Sequence, residues 1–487
     1  MNELALIALP RVFAALSFVW PKEGTRPWLL PLAGGCHAAS ALWLLVHPPE
    51  PEAGAWFGFD PLARAVLPMI SLLFFVCSIY AVAYLKLRPE RRNRLFVLAL
   101  LVLLGCLSLA IQAQHLGLLW VAAEAATLMT VPLIHFNGTA RAFEASWKYL
   151  LVGGTGIALS LLGSFCLGYA SLNAGGNGDL TFHALAAQFV HLSGDAARYS
   201  HPWLLAAWVL LLAGYGTKMG LAPMHTWKPD VYGEAPGIVG ALLAGGTTTM
   251  AFVAVLRVKQ VVDAAGGAEM THRTLLAFGL FSMLVAALFL LGAQDFKRML
   301  AYSSIEHMGI LAVGAALGGL GVWAALFHVW TNSLTKGALF LSAGNIRRAA
   351  GGRNVAEVSG MAWCAPLSAR MFVTGLFAIT ACPPFGPFFS ELLVVRAAFT
   401  AHGTFTAAAF LGCLLFAFFG LTRLVFAIVD GRPRAAARTV ANRFRETAGV
   451  ILPPLAFLGL SVWIGLATPP VLSSAWTAAV KILVPTP

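Results

Sequence analysis

Trp203-Leu-Leu-Ala-Ala-Trp-Val-Leu-Leu-Leu-Ala-Gly-Tyr-Gly-Thr-Lys218 runs apolar until it ends on a lysine, and Pro223 follows within two turns. A positive side chain near the middle of a bilayer costs about 2.5–3.5 kcal/mol on insertion scales, so a lysine held there implies use. Proline removes a backbone donor and leaves the Met219 carbonyl, four residues back, without its partner. Two costs this close together mark a site.

The rest of the chain supplies the membrane setting, with 59% hydrophobic and 11% charged residues against about 25% charged in soluble domains. Apolar stretches long enough to cross about 30 Å of hydrocarbon fall at roughly 3–20, 28–47, 61–86, 95–113, 115–136, 146–172, 203–229, 236–257, 274–292, 300–319, 321–346, 366–400, 404–429 and 448–467. The reading is an all-α polytopic membrane protein of about fourteen spans. The first span, interrupted by Pro10 and Arg11, is read as a retained helix, since no Ala-x-Ala-like cleavage site follows.

Positive residues set the orientation. Loops after odd-numbered spans carry most of them, including Arg88, Arg91, Arg92, Arg94, Arg347, Arg348, Arg353, Arg432, Arg434, Arg438 and Arg443. Loops after even-numbered spans hold Arg198, Arg257, Lys259 and Arg273. The first set is expected in the cytoplasm, with both termini on the non-cytoplasmic side of a bacterial-type inner membrane. Topology thereby explains the net charge of +12, and no nucleic-acid partner is expected. The partners expected are the lipid bilayer, protons and other membrane and peripheral subunits.

Seven cysteines, scattered without a Cys-x-x-Cys pair, read as small core residues. No phosphate-binding loop or dinucleotide fingerprint is found, so no cofactor or metal is expected in this chain, which catalyses no bond-making step itself. Loop 173–202 has room for a short surface helix at 181–192, and residues 471–487 for one or two amphipathic turns.

Function then falls to ionisable groups within the spans. Glu124 stands in Leu118-Leu-Trp-Val-Ala-Ala-Glu124 with no charged neighbour in sequence. It is either protonated or paired with a cation on another helix, for which Lys218 is the natural candidate; the bland alternative is a structural ion pair. Beyond Lys218, Gly220 and Pro223 break the helix, and His225, Lys228, Asp230 and Glu234 follow. Lysine suits proton work because its compact ammonium exchanges its proton readily when desolvated. His225 has a relay role or satisfies freed carbonyls; Asp230 and Glu234 form a proton uptake point or a solvated turn.

A second break lies in Thr380-Ala-Cys-Pro-Pro-Phe-Gly-Pro-Phe-Phe-Ser-Glu391, at Pro383, Pro384 and Pro387. Interrupted spans in corresponding halves point to inverted repeats. Here they are spans 4–8 and 9–13, with spans 7 and 12 broken. The single membrane domain, 1–487, would then divide into N-terminal spans (1–94), first repeat (95–257), second repeat (274–429) and a last span with its tail (448–487). Between the breaks, His328, Asn332 and Lys336 recur every four residues and share one helix face, a path for protons or a set of interhelical hydrogen bonds. Ser303, Ser304, Glu306 and His307 add a polar cluster that relays protons or faces water.

Lys218-Met-Gly-Leu-Ala-Pro-Met-His-Thr-Trp-Lys-Pro-Asp230 with Glu234-Ala-Pro, followed by Asp295-Phe-Lys-Arg-Met-Leu-Ala-Tyr-Ser-Ser-Ile-Glu-His307, resembles the antiporter-like proton-translocating subunits of respiratory complex I and related hydrogenases. The closest variant is the component F subunit of hydrogenase-4-type complexes. The resemblance implies fourteen helices with two inverted five-helix repeats and a hydrated axis of ionisable groups. Glu124 would be its span-5 glutamate, Lys218 its span-7 lysine and Glu391 the residue of broken span 12. Thr249 stands where complex I members carry a span-8 lysine, so a continuous relay requires water, His328 or Lys336.

The implied function is proton translocation within a multi-subunit redox complex of the hydrogenase, formate or NADH dehydrogenase type. Other readings are a proton-driven subunit for inorganic-carbon uptake, a monovalent cation/proton antiporter and a non-conducting scaffold.

Overall fold

The computed structural model describes residues 3–50, 54–190, 194–431 and 444–484, with the backbone alone at 194–199, 356 and 402. Arg432, Arg434, Arg438 and Arg443, and the side chain of Arg198, lie outside the described residues. Every regular element among those residues is helical; isolated bridges such as Phe57 with Ala113 and Asp295 with Asn354 tie loops together. Among the described residues, eight helical stretches are long and apolar enough to cross a membrane: Arg26–Val46, Pro61–Lys86, Arg94–Gln112, Leu116–Asn137, Ala140–Asn173, Gly237–Gly292, Gly403–Val429 and Ala448–Leu466. Shorter apolar helices are Ala5–Val19, Pro366–Ile379 and Pro470–Leu483. The chain is a multi-pass, all-helical membrane protein.

Apolar side chains line both the interior and the perimeter, as a bilayer solvent demands. Leu128, Leu151, Phe165, Val209, Phe281, Leu288, Phe416 and Leu452 face outward beside a packed interior. Lipid is as apolar as leucine, so close packing rather than hydrophobicity joins the helices. α12 (Ala268–Gly292) and α13 (Phe296–Ala316) meet where a Cβ on Gly309 would fall 2.7 Å from the Gly279 carbonyl oxygen. Polar residues enrich α13 and α14 (Gly319–Ala350), and both are almost wholly buried within the bundle.

The two expected breaks are present. α8 (Gly194–Met219) stops at Gly220, whose φ of +80° is the left-handed geometry that closes a helix at low cost to glycine. The Gly220 and Leu221 amides both bond back to the Gly216 carbonyl, at 2.7 and 2.9 Å, and Ala222 N–H donates to Ser282 Oγ on α12 at 2.9 Å. The chain resumes as α9 (Trp227–Glu234). α17 (Pro366–Ile379) ends in the same manner before Pro383 and Pro384, and α18 (Gly386–Val429) starts with Pro387 in its first turn and bends again at Gly403. Glu391 therefore lies after its break, whereas Lys218 lies before its own.

Several expectations change. α20 (Pro470–Leu483) is a fourteen-residue helix, longer than one or two turns, because Leu472, Ala475, Trp476, Ala479 and Leu483 form a buried stripe. Arg257 and Lys259 are buried within α11 (Thr248–Val262) rather than in a loop. Asp60 draws Arg257 inward with a two-point ion pair at 2.9 and 3.0 Å, and Lys259 pairs with Asp263. Cys77, Cys106 and Cys166 are buried, whereas Cys36 is exposed, so the cysteines are not uniformly core. The surface helix of loop 173–202 forms over Phe182–Val190.

Candidate functional site

Lys218, at the end of α8, projects toward α5 (Leu116–Ile134) and α6 (Ala140–Asn173). Its Nζ lies 3.9 Å from Glu124 Oε2, donates a hydrogen bond to Thr127 Oγ1 and stands 5.4 Å from the centre of the Tyr149 ring. A Cβ on Gly153 would come within 3.0 Å of that nitrogen, so the glycine leaves the space the ammonium uses. Lys218 is only 1% exposed, while the Glu124 side chain is 26% exposed. The pair thus joins a buried cation to a carboxylate at the edge of the bundle.

A second group gathers on α13, α14 and α18. Lys336 Nζ donates to Ser303 Oγ at 2.6 Å. A hydrogen bond of 2.9 Å links His307 Nδ1 with His328 Nε2, and another of 2.9 Å links His328 Nδ1 with Ser390 Oγ. Glu391 follows Ser390 and places Oε1 3.9 Å from His307 Nδ1. His328, Asn332 and Lys336 lie on one buried face, as their spacing requires. Ser303, Ser304, Glu306 and His307 are buried as well, which corrects the alternative that they face water. Their helix is enclosed by α9, α12, α14 and α18.

Several buried oxygens here find no hydrogen-bond partner among the described residues, including Glu306 Oε2, Asn332 Oδ1 and Thr249 Oγ1. Buried polar atoms are ordinarily satisfied by protein or ordered water, so these positions suit a hydrated path. Ligand atoms of His307, His328 and Glu391 lie within 4.8 Å of one another, a set that could also ligate a cation. The His307–His328 hydrogen bond already engages a nitrogen of each ring.

The remaining candidates are placed elsewhere. His225 is half-buried, its ring centre 6.4 Å from that of Phe289. Asp230 bridges Lys148 at 3.2 Å and Arg298 at 2.6 Å. Glu234 pairs with Arg347 at 3.6 Å and with Arg353, which also lies 3.6 Å from Asp295. Asp230 and Glu234 thus pin α9 to neighbouring helices. Gly220 and Pro223 lie in the first break and Pro383 and Pro384 in the second, with Pro387 in the first turn of α18.

Sequence reasoning passed over Lys228. It is fully buried, and its Nζ donates to Ser304 Oγ at 3.3 Å. The Trp-Lys-Pro setting disguised it, although the flanking aromatic residues were a signal that the turn does not face water. A π-helical turn at Leu243–Thr247, just before Thr249, was likewise unforeseen; Ser333 Oγ donates to its Gly245 carbonyl at 3.3 Å.

Comparison with known proteins places this arrangement in a lineage. Residues 113–416 match the family described as NADH:quinone oxidoreductase/Mrp antiporter, transmembrane. The hydrogenase-4 component F homolog of Methylacidiphilum infernorum (isolate V4) is 32% identical over 93% of this chain and 97% of its own length. The NADH-quinone oxidoreductase subunit N of Desulforudis audaxviator (strain MP104C) is 30% identical over 85% of this chain and 82% of its own. A chain of the membrane-bound sulfane sulfur reductase, an archaeal respiratory membrane complex, superposes with a TM-score of 0.86 at 23% identity, covering 99% of this chain and 97% of that one. The match spans both broken helices and the buried lysines between them, and the chain belongs to the NADH:quinone oxidoreductase/Mrp antiporter transmembrane family.

Proposed function

We propose that this chain is the proton-translocating, antiporter-like subunit of a multi-subunit membrane redox complex, and that protons move along its buried ionisable groups. The observation that carries the proposal is the enclosure of Lys218, Lys336, Glu306, His307, His328 and Glu391 inside one helical bundle, with Glu124 at its edge. Structural ion pairing alone would not require so many buried groups, because polar contacts between membrane helices are typically worth only about 0.6 kcal/mol.

Protonated Lys218 at 3.9 Å from Glu124 feels an attraction on the order of 4 kcal/mol at an effective dielectric of about 20. Separation of the pair removes that attraction and lets Lys218 release its proton inward. At the far end, a neutral imidazole donates through one nitrogen and accepts through the other. A proton taken up by His307 can therefore leave His328 toward Ser390 and Glu391, with the ring hydrogen bonds reversed afterwards. Redox chemistry belongs to partner subunits, whose conformational changes set the Glu124–Lys218 distance.

In this reading the full set is fourteen spans with inverted repeats over 95–257 and 274–429. Support comes from the paired breaks after Met219 and Ile379. The arginine-rich face around Glu234 is cytoplasmic, and both termini lie opposite. Lys218→Ala in the purified native complex, reconstituted into vesicles, is expected to lower proton pumping at least tenfold with assembly intact. Unchanged pumping would overturn the proposal.

A further inference from the structure

Thr249 puts a hydroxyl rather than an ionisable group at its position on α11, whose cations Arg257 and Lys259 are paired with Asp60 and Asp263. Another element nevertheless puts a cation in the interior that is unpaired among the described residues. Lys228 lies on α9, after the first break, and is 0% exposed. Among the described residues it forms no ion pair; its hydrogen bond goes to the Ser304 hydroxyl at 3.3 Å. The adjacent residue on the same helix, Ser303, accepts from Lys336 at 2.6 Å. Two buried amines are thus bound to consecutive hydroxyls of α13.

Lys228 also lies against the break that follows Lys218. A Cβ at Gly220 would fall 2.3 Å from Lys228 Cε and 2.8 Å from Nζ, so the lysine stem passes directly over the turn that follows Lys218. Glycine at the break serves two purposes, a left-handed backbone and a channel for this side chain. The neighbouring Trp227 donates from Nε1 to the Thr217 carbonyl at 2.8 Å, which anchors α9 against the end of α8.

An ammonium buried without a carboxylate is a poor structural anchor, because desolvation is not offset by a counter-ion. We infer that Lys228 is the connecting proton carrier between Lys218 and Lys336, in the role that Thr249 cannot fill. The inference rests on the proton-translocating reading. In each transfer one N–H bond breaks as another forms. Lys218 ammonium gives a proton to neutral Lys228 through intervening water, which takes one proton and passes on another. Lys228 ammonium then gives it to neutral Lys336 through the Ser304 and Ser303 hydroxyls, each of which takes one proton and passes on its own.

Lys228→Met and Lys228→Arg separate a carrier from an anchor. Methionine keeps the length without a proton; arginine keeps the charge and the donor to Ser304 but hardly gives up its proton. In the native complex reconstituted into vesicles, both variants are expected to assemble and to lower dye-reported proton pumping at least tenfold. Wild-type pumping by either variant, with Lys218→Ala inactive, overturns the inference and leaves the wider reading standing. Wild-type pumping by Lys218→Ala overturns the wider reading itself. If the methionine variant fails to assemble, the arginine variant decides: retained pumping marks an anchor, and lost pumping in an assembled complex marks a carrier.

Discussion

His307 and His328 stack with ring centres 5.1 Å apart and planes 17° from parallel while sharing a hydrogen bond of 2.9 Å. The two rings therefore lie side by side, so a proton can pass between them without a large turn of either ring. They come from different helices, α13 and α14, and only the packing of those helices brings them together.

Replacement of either ring by phenylalanine keeps much of the packing and would remove the proposed relay. His328→Phe is expected to lower pumping at least tenfold while assembly on native gels stays normal. His328→Gln, which retains a donor and an acceptor but carries no exchangeable charge, is expected to be similarly impaired. Wild-type pumping by the glutamine variant would assign His328 a purely structural role.

Arg257 and Asp60 give a prediction about stability. Removing one partner of a buried pair strands the other and costs about 3–5 kcal/mol. Arg257→Met is expected to lower the apparent melting temperature of the detergent-solubilised protein markedly, since Arg257 also donates to the Ile111 carbonyl at 2.8 Å. Asp60→Asn should be at least as harmful, because it strands the more deeply buried guanidinium, although its side-chain oxygen can still accept the Ala63 amide at 2.9 Å that starts helix Pro61–Lys86.

Gly220 and Gly266 provide a matched pair. Both have φ near +80°, but a Cβ at Gly266 meets nothing within 4 Å, whereas one at Gly220 collides with Lys228. Gly266→Ala should cost about 1–2 kcal/mol for the left-handed backbone alone. Gly220→Ala should cost more and should also depress pumping. Equal losses from both substitutions in a thermal-shift assay would show that Lys228 relocates freely.

Outside the spans, the Arg353 and Asn354 backbone amides donate to Glu357 at 3.1 and 3.3 Å and hold its carboxyl below the usual carboxylate range. A depressed acid stabilises the fold above its unfolded pKa, and that contribution is lost as pH falls through the lower folded value. Acidification should therefore loosen the turn at Val355–Val358, and Glu357→Gln should loosen it already at neutral pH. Hydrogen exchange at the Arg353 and Asn354 amides measures both effects, with rates corrected for the intrinsic effect of pH.

Much of the candidate site was legible because a bilayer makes ionisable residues conspicuous in sequence. Lys218, Glu124 and the stripe from His328 to Lys336 declared themselves as charges or polar groups inside apolar runs. Glycine and proline marked the breaks for the same local reason. Lys228 was not legible, since its burial is created by α13, a helix distant in sequence. Arg257 was misplaced for a related reason: its partner Asp60 lies far away along the chain, and basic residues at the end of an apolar run resemble a loop. Solitary intramembrane charges can be read from sequence, whereas charges enclosed by tertiary packing cannot.

Trp476 on α20 is buried against Trp323, Phe327 and Trp330, with ring centres 5.3, 5.2 and 6.3 Å away. These three aromatics belong to the same helix as His328 and Lys336, and Trp330 Nε1 is itself fastened to the Ala65 carbonyl at 2.7 Å. The arrangement acts as a mechanical clamp on that helix. If His328 takes part in the proposed relay, the rearrangements it needs are those of hydroxyl rotors and ring protons, which displace almost no mass. Any change in distance that the proposed function requires then falls to Lys218 and Glu124, whose side chain is 26% exposed at the bundle edge.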